Sequence, residues 1–154
     1  MSPIGYVRSP YATPADIPKG LGAEHQAEGS LVIFPEFEDG LKDIEGFSHL
    51  YVIWVFHLSE SYNLLVTPPS DISPHGVFAT RSPYRPNPLG LTVVRLLERS
   101  GSVLRVKGVD MVDGSPILDI KPYLTSIPEK ELTRGWLAEV EKRQNTGSDS
   151  VQEG

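Results

Sequence analysis

The chain has 154 residues, enough for one domain whose core needs no metal or disulfide. Lys plus Arg number 14 against 20 Asp plus Glu, a formal charge of -6, which lends no general support to non-specific nucleic-acid binding. The count of 0 cysteines excludes a disulfide framework, a thiol nucleophile, an iron–sulfur cluster and a thiolate zinc site, and no apolar run reaches the ~18 residues of a membrane span.

The 14 prolines and 14 glycines cut the chain into short pieces and point to a mainly β fold with irregular loops. Ile4–Val7 starts a strand, Ser9–Gly29 is broken up by Pro10, Pro14, Pro18, Gly20 and Gly22, and Ser30–Phe34 resumes a strand. Asp39–Glu45 reads as one or two helical turns. His49–His57 reads as the central strand with both faces covered, because β-forming residues run through it without polar alternation. At a period of two, His49, Tyr51, Ile53, Val55 and His57 share one side, and Leu50, Val52, Trp54 and Phe56 the other. Pro68, Pro69 and Pro74 mark a loop before Val77–Thr80. Leu91–Leu97 and Val103–Val109 read as strands joined at Ser100–Gly101, and Asp113–Gly114 as a hairpin turn before a strand at Ile117–Ile120. A helix is expected from about Pro128 to Arg143, with Leu132, Trp136, Leu137 and Val140 as its apolar stripe, followed by a disordered Thr146–Gly154. The expected division is a β domain over 1–127 and a helix with tail over 128–154. The first residues lack the basic segment and apolar core of a signal peptide, so the cytoplasm is the default location.

Gly20-Leu-Gly22 lacks the third glycine of a dinucleotide loop, and no histidine pair has the helical spacing of a zinc protease. Asp110, Asp113 and Asp119 do not match a calcium loop, so no metal is expected. The stretch from Phe78 to Gly90 is more telling, because Pro83, Pro86 and Pro88 stiffen it. On that frame Arg81 and Arg85 either present guanidinium forks to a carboxylate or phosphate, or cap carbonyls and pair with Asp. Asp110 and Asp119 either accept ligand amines and ribose hydroxyls or pair with Arg81, Arg85 or Lys121. His49 and His57 are acid–base candidates set against the reading of hydrogen-bonded core residues, and His57, at the strand's end, is the better. Tyr84 and Tyr123 can stack on a base, with packing as the alternative.

Ile4-Gly-Tyr-Val-Arg-Ser-Pro10, Gly46-Phe-Ser-His-Leu50, Gly76-Val-Phe-Ala-Thr-Arg-Ser-Pro83, Arg85-Pro-Asn-Pro-Leu-Gly90 and Asp113-Gly-Ser-Pro-Ile-Leu-Asp-Ile-Lys-Pro-Tyr123 stand in the order in which they occur in the TsaA-like, or TrmO, family, which this chain resembles over about residues 4–124. The resemblance implies a single-sheeted β-barrel, usually a homodimer, that binds S-adenosylmethionine outside any Rossmann fold, to which the C-terminal helix read from the residues is added. It also implies methylation of N6 of threonylcarbamoyladenosine next to the tRNA anticodon, at position 37. Carried over by motif, the cofactor contacts are Lys19, Gly20 and Leu21, then His57 and Leu58, then Arg81 and Val93, and finally Met111, Val112, Asp113 and Gly114. The family often has Pro-Arg-Gln where this chain reads Pro18-Lys19-Gly20, which keeps a cation and drops an amide. Many bacterial members carry a C-terminal extension that helps hold tRNA, which these 154 residues do not include.

Methyl transfer of this kind is a direct displacement in which positioning supplies much of the acceleration. Asp113, His57 and the substrate's own carboxylate are the candidates to take the N6 proton, and Arg85 is the candidate for an anionic group of the substrate. The rival readings are a non-catalytic S-adenosylmethionine-binding module, and a methyltransferase for another RNA or a small molecule.

Overall fold

The computed structural model describes residues 1–19 and 25–153, with 146–153 as helix backbone alone. Among the described residues there are eight strands: β1 (Gly5–Arg8), β2 (Glu28–Ile33), β3 (His49–Val55), β4 (Leu65–Val66), β5 (His75–Gly76), β6 (Leu89–Ser100), β7 (Val103–Lys107) and β8 (Pro116–Pro122). One α-helix, α1, spans Trp136–Glu153. Six of the strands close into an antiparallel barrel in the order β1-β2-β7-β6-β3-β8, while β4 and β5 pair with each other as a small annex. Valine, isoleucine and leucine alternate along these strands, so one face of each turns inward. Val7, Leu31, Ile33, Leu50, Val52, Trp54, Val94, Leu104, Val106 and Ile117 form the buried core.

The sequence anticipates the six barrel strands, with ends that differ by a few residues. Other expectations change. The strand at His49–His57 ends at Val55, and it is covered on one face only: Leu50, Val52 and Trp54 are buried in the barrel, whereas Tyr51, Ile53 and Val55 are half-exposed on its outer wall. Its outward apolar residues had hidden the alternation. Asp113–Gly114 is a turn but not a hairpin turn, because β7 lies between β2 and β6 while β8 lies between β3 and β1. The segment between them therefore crosses the mouth of the barrel, and Val109 and Met111, both 0% exposed, plug it. Val77–Ala79 is a short 3-10 helix behind the β4–β5 pair, which carries too few residues to show a period. The helical turns expected at Asp39–Glu45 form two 3-10 segments, Pro35–Leu41 and Ile44–Gly46.

Helix α1 starts eight residues later than expected, after a 3-10 turn at Glu129–Glu131 and a Gly135 held at φ +55, a left-handed conformation that no α-helix can include. It then runs past Thr146 to Glu153, with no proline to stop it. The helix docks on the annex. Trp136 stacks on His75 with ring centroids 4.2 Å apart, its Nε1–H donates to the Ala79 carbonyl at 2.8 Å, and Val140 is buried. Asp71 joins the two parts, accepting from His75 Nε2 at 2.7 Å and Arg143 Nη2 at 3.2 Å.

These bonds, chiefly that from His75, with help from the Ile72 N–H and the Arg143 charge, pull the Asp71 carboxyl from 3.8 down to about 2. A depressed carboxyl stabilises the docked helix above its unfolded value and ceases to do so as pH falls through its folded value. The Trp136 indole N–H resonance should therefore move as pH falls from 3.8 towards about 2, and Asp71→Asn should abolish that acid transition. A Trp136 signal that ignores pH in this window would show that Asp71 does not hold the helix.

Candidate functional site

Antiparallel order places the end of β1, the start of β2, the end of β7, the start of β6, the end of β3 and the start of β8 on one rim of the barrel. Three connections leave and rejoin the barrel there: 9–27, of which 20–24 lie outside the described residues, 56–88 and 108–115. Lys19 lies on the first, His57, Leu58, Arg81 and Arg85 on the second, and Met111, Val112, Asp113 and Gly114 on the third. Gly20 and Leu21, assigned to the cofactor by resemblance, lie outside the described residues. Val93 stands further along β6, paired with Tyr51 and directed to the outer wall, where it is 40% exposed. Residues spread over most of the chain are thus brought to one place by topology alone.

The first and third connections are clasped together. Val7 N–H donates to the Ser115 carbonyl at 2.9 Å, Gly114 N–H to the Val7 carbonyl at 2.8 Å, and Asp113 N–H to the Tyr11 carbonyl at 2.7 Å. Side chains add to it: Ser9 N–H donates to Asp113 Oδ1 at 3.0 Å, and Ser9 Oγ donates to the Met111 carbonyl at 2.6 Å. Gly114 sits at φ +85, which explains the glycine without any appeal to catalysis. Asp113 itself is exposed, and one of its oxygens serves the Ser9 amide.

The proline-framed loop braces itself. Arg85 Nη1 donates to the Thr80 carbonyl at 2.7 Å and to the Ser82 carbonyl at 3.3 Å, while its guanidinium lies over the Phe78 ring. Carbonyl capping is therefore the part Arg85 plays within the chain. Arg81 is exposed at the rim, and His57 and Leu58 form an exposed turn beyond β3.

A second constellation emerges that no spacing in the sequence reveals. Trp54 Nε1–H on β3 donates to Thr92 Oγ1 on β6 at 3.0 Å, and Thr92 Oγ1 donates in turn to Asp110 Oδ1 at 2.6 Å. Trp54 and Thr92 are buried, and Asp110 is half-buried at the end of this chain. Burial pushes the Asp110 carboxyl above the ordinary carboxylate range, opposed by the Thr92 bond and by the electrostatic pull of His25 and Arg81. His25 comes from the first connection, Arg81 from the second and Asp110 from the third, so all three contribute charge to one point. Among the described residues His25 Nδ1 is buried with no hydrogen-bond partner, the kind of orphaned polar atom that a ligand satisfies. The sequence flagged Asp110 as an acceptor for a ligand or an ion pair, whereas neither His25 nor Thr92 carried any signal.

The donor set fits a zwitterionic nucleoside. Arg81 suits a carboxylate, His25 Nδ1 a polar edge, and exposed Leu58 an apolar ring. Among the described residues no group of three or more His, Asp or Glu is placed to hold a metal ion, and no helix is long and apolar enough to cross a membrane.

Residues 6–128 match the family model described as the tRNA-methyltransferase O N-terminal domain. A probable S-adenosyl-L-methionine-binding protein of Pyrococcus abyssi is 51% identical over 136 residues, covering 88% of this chain and 74% of its own length. The tRNA (adenine(37)-N6)-methyltransferase of Escherichia coli K12 is 35% identical over 164 residues, covering 91% of this chain and 70% of its own. Among solved structures, TrmO from Pseudomonas aeruginosa superposes with a TM-score of 0.70 at 35% identity over 87% of this chain. The chain spans 59% of that solved protein.

Proposed function

This chain belongs to the tRNA-methyltransferase O N-terminal domain family, and from that premise we propose that it is an S-adenosylmethionine-dependent methyltransferase acting on N6 of threonylcarbamoyladenosine at position 37 of tRNA. The observation that carries the reading is the convergence of three connections, which carry eight of the eleven residues assigned by motif, on one barrel rim. Arg81 and His25 hold the carboxylate and a polar edge of the cofactor, Leu58 its apolar surface, and Lys19 with Met111–Gly114 the walls. Bound there, S-adenosylmethionine supplies a methyl group activated by its sulfonium sulfur. The residues of the rim orient donor and acceptor in line and exclude water, which is where most of the acceleration of a displacement arises. Arg85, its Nη1 fixed on the loop, keeps Nε and Nη2 for an anionic group of the substrate.

The functional unit we propose is a cytoplasmic homodimer, with the barrel over 1–127 as its domain and 128–154 as an appended helical segment. The outer wall supports pairing: Leu89, Leu91 and Val93 of β6 are 38%, 49% and 40% exposed beside half-exposed Tyr51, Ile53 and Val55 of β3. An exposed apolar row of this length suits burial against a second copy better than bare solvent.

The test is incubation with methyl-labelled S-adenosylmethionine and tRNA bearing threonylcarbamoyladenosine, followed by digestion to nucleosides. Label in the N6-methylated nucleoside is expected, from a species of twice the 16.9 kDa chain mass. Uptake of the cofactor without transfer would leave a binding module, and label in another RNA or a small molecule would reassign the acceptor.

A further inference from the structure

Resting on the proposed methyl transfer, we infer that Asp110 is the general base of the reaction, with Oδ2 of its carboxylate taking the proton that N6 of the acceptor releases, and with Thr92 and Trp54 as positioning residues. The hydrogen-bond chain has only one possible direction. An indole N–H donates and cannot accept, so Thr92 Oγ1 accepts from Trp54, and its own proton must point to Asp110 Oδ1. Oδ1 is thereby fixed as an acceptor and the carboxylate plane is held. Oδ2 takes no bond from any described residue and is not sealed from solvent.

The other acid–base candidates are less well placed. Asp113 is exposed and gives an oxygen to Ser9 N–H, and His57 lies on an exposed turn beyond the end of β3. Asp110 combines a fixed orientation with partial burial, which strengthens its basicity, while Thr92, His25 and Arg81 favour its ionised form. Among the described residues the titratable and charged groups that act on it are His25 and Arg81, from the other two connections of the rim.

The step balances. As the N6–methyl bond forms and the sulfur–methyl bond breaks, the bonding pair of the latter stays on sulfur and the N6 proton passes to Oδ2. A sulfonium cation and a carboxylate become a neutral sulfide and a neutral carboxylic acid, and no further reagent is needed.

The first measurement needs neither cofactor nor substrate. The chain has 2 tryptophans, so Trp136→Phe leaves the Trp54 indole N–H as a single resonance that senses Asp110 through Thr92. In this ligand-free protein the resonance should titrate with a midpoint above the ordinary carboxylate value of 3.8. Asp110→Asn and Thr92→Val should remove that titration, and Thr92→Ser, which keeps the hydroxyl, should preserve it. The second measurement is methyl transfer: Asp110→Asn should lower the single-turnover rate about 100-fold or more, with S-adenosylmethionine affinity by calorimetry unchanged. Thr92→Val should displace the acid limb of the pH–rate profile, and Thr92→Ser should restore it, so the inference stays testable even if one variant folds poorly. A titration that survives Asp110→Asn, a variant that transfers methyl at the parent rate, or one that loses the cofactor would each overturn the assignment. If the parent protein transfers no methyl at all, the proposed function fails and takes this base with it; an active parent with an equally active Asp110→Asn variant removes the base alone.

Discussion

Gly90→Ala is expected to unfold the protein at a distinctly lower denaturant concentration and to uncouple the acidic group at the rim from its support. Gly90 pairs directly with Trp54 across β3 and β6, and the indole lies against its Cα. A Cβ there would overlap the six-membered ring and come within 2.7 Å of Nε1. Trp54 is only 4% exposed and packs on Phe56 with centroids 4.2 Å apart, so the ring has nowhere to go without disturbing its neighbours. Overpacking of this kind costs about 1–3 kcal/mol. If the displaced indole also loses Thr92, a buried donor is left unpaired for a further ~1–3 kcal/mol. Gly46→Ala is the matched control, because a Cβ at Gly46 meets nothing within 4 Å. Equal unfolding midpoints for the two variants would show that the indole does not occupy the place described for it.

The same pair of residues shows how far the sequence could be read. Gly90 ends a run of prolines and Trp54 stands in an apolar strand, so each element is legible from local chemistry. That they face one another depends on a register between residues 36 apart in number, which periodicity does not encode. The barrel strands were readable because β-branched residues bounded by Pro and Gly leave few alternatives. Ring order was not, and ring order decides the rest. It makes Asp113–Gly114 a crossing of the barrel mouth where adjacent strands would have made it a hairpin turn, and it gathers the three connections on one rim. Among candidate site residues on these connections, Arg81, Arg85, His57 and Asp110 were flagged by local chemistry and others came through family motifs, since loops show no period. Asp110 was separable from Asp113 only by burial: both lie in one apolar stretch, yet one reaches Thr92 while the other is exposed and tied to Ser9. The 3-10 start and late onset of α1 were hidden for a different reason, because a glycine at Gly135 is compatible with either a weak helix or a left-handed break.

Gly5→Ala is expected to be damaging in a different way, at about 3 kcal/mol, the upper end of what one added methyl costs. The difference lies in what the new Cβ would strike. At Gly90 it meets a side chain, which can rotate, whereas at Gly5 it would sit on the Val32 carbonyl oxygen and within 2.9 Å of the Ile33 Cα. Backbone paired on both sides cannot move without breaking a ladder. Gly5 pairs with Ile33 of β2 on one side and with Ile117 of β8 on the other, so it stands at the seam where the barrel closes. The ladder between β1 and β8 contains only Gly5–Ile117 and Tyr6–Pro116, the shortest in the ring. Beyond it the seam continues as the bonds from Val7 N–H to Ser115 and from Gly114 N–H to Val7, and then as Ser9 on Asp113 and Met111. Barrel closure and the clasp at the rim are thus one continuous row of hydrogen bonds, and pushing β1 away at Gly5 loosens both. Hydrogen exchange should show the amides of Val7, Ser9, Asp113 and Gly114 exchanging faster in Gly5→Ala than in Gly90→Ala, even when the two are compared at matched global stability. S-adenosylmethionine affinity should fall along with that protection. Protection of these amides that stays at the parent level would mean that the seam and the clasp open independently, and the first and third connections would then owe their position to their own contacts and not to the closure of the barrel.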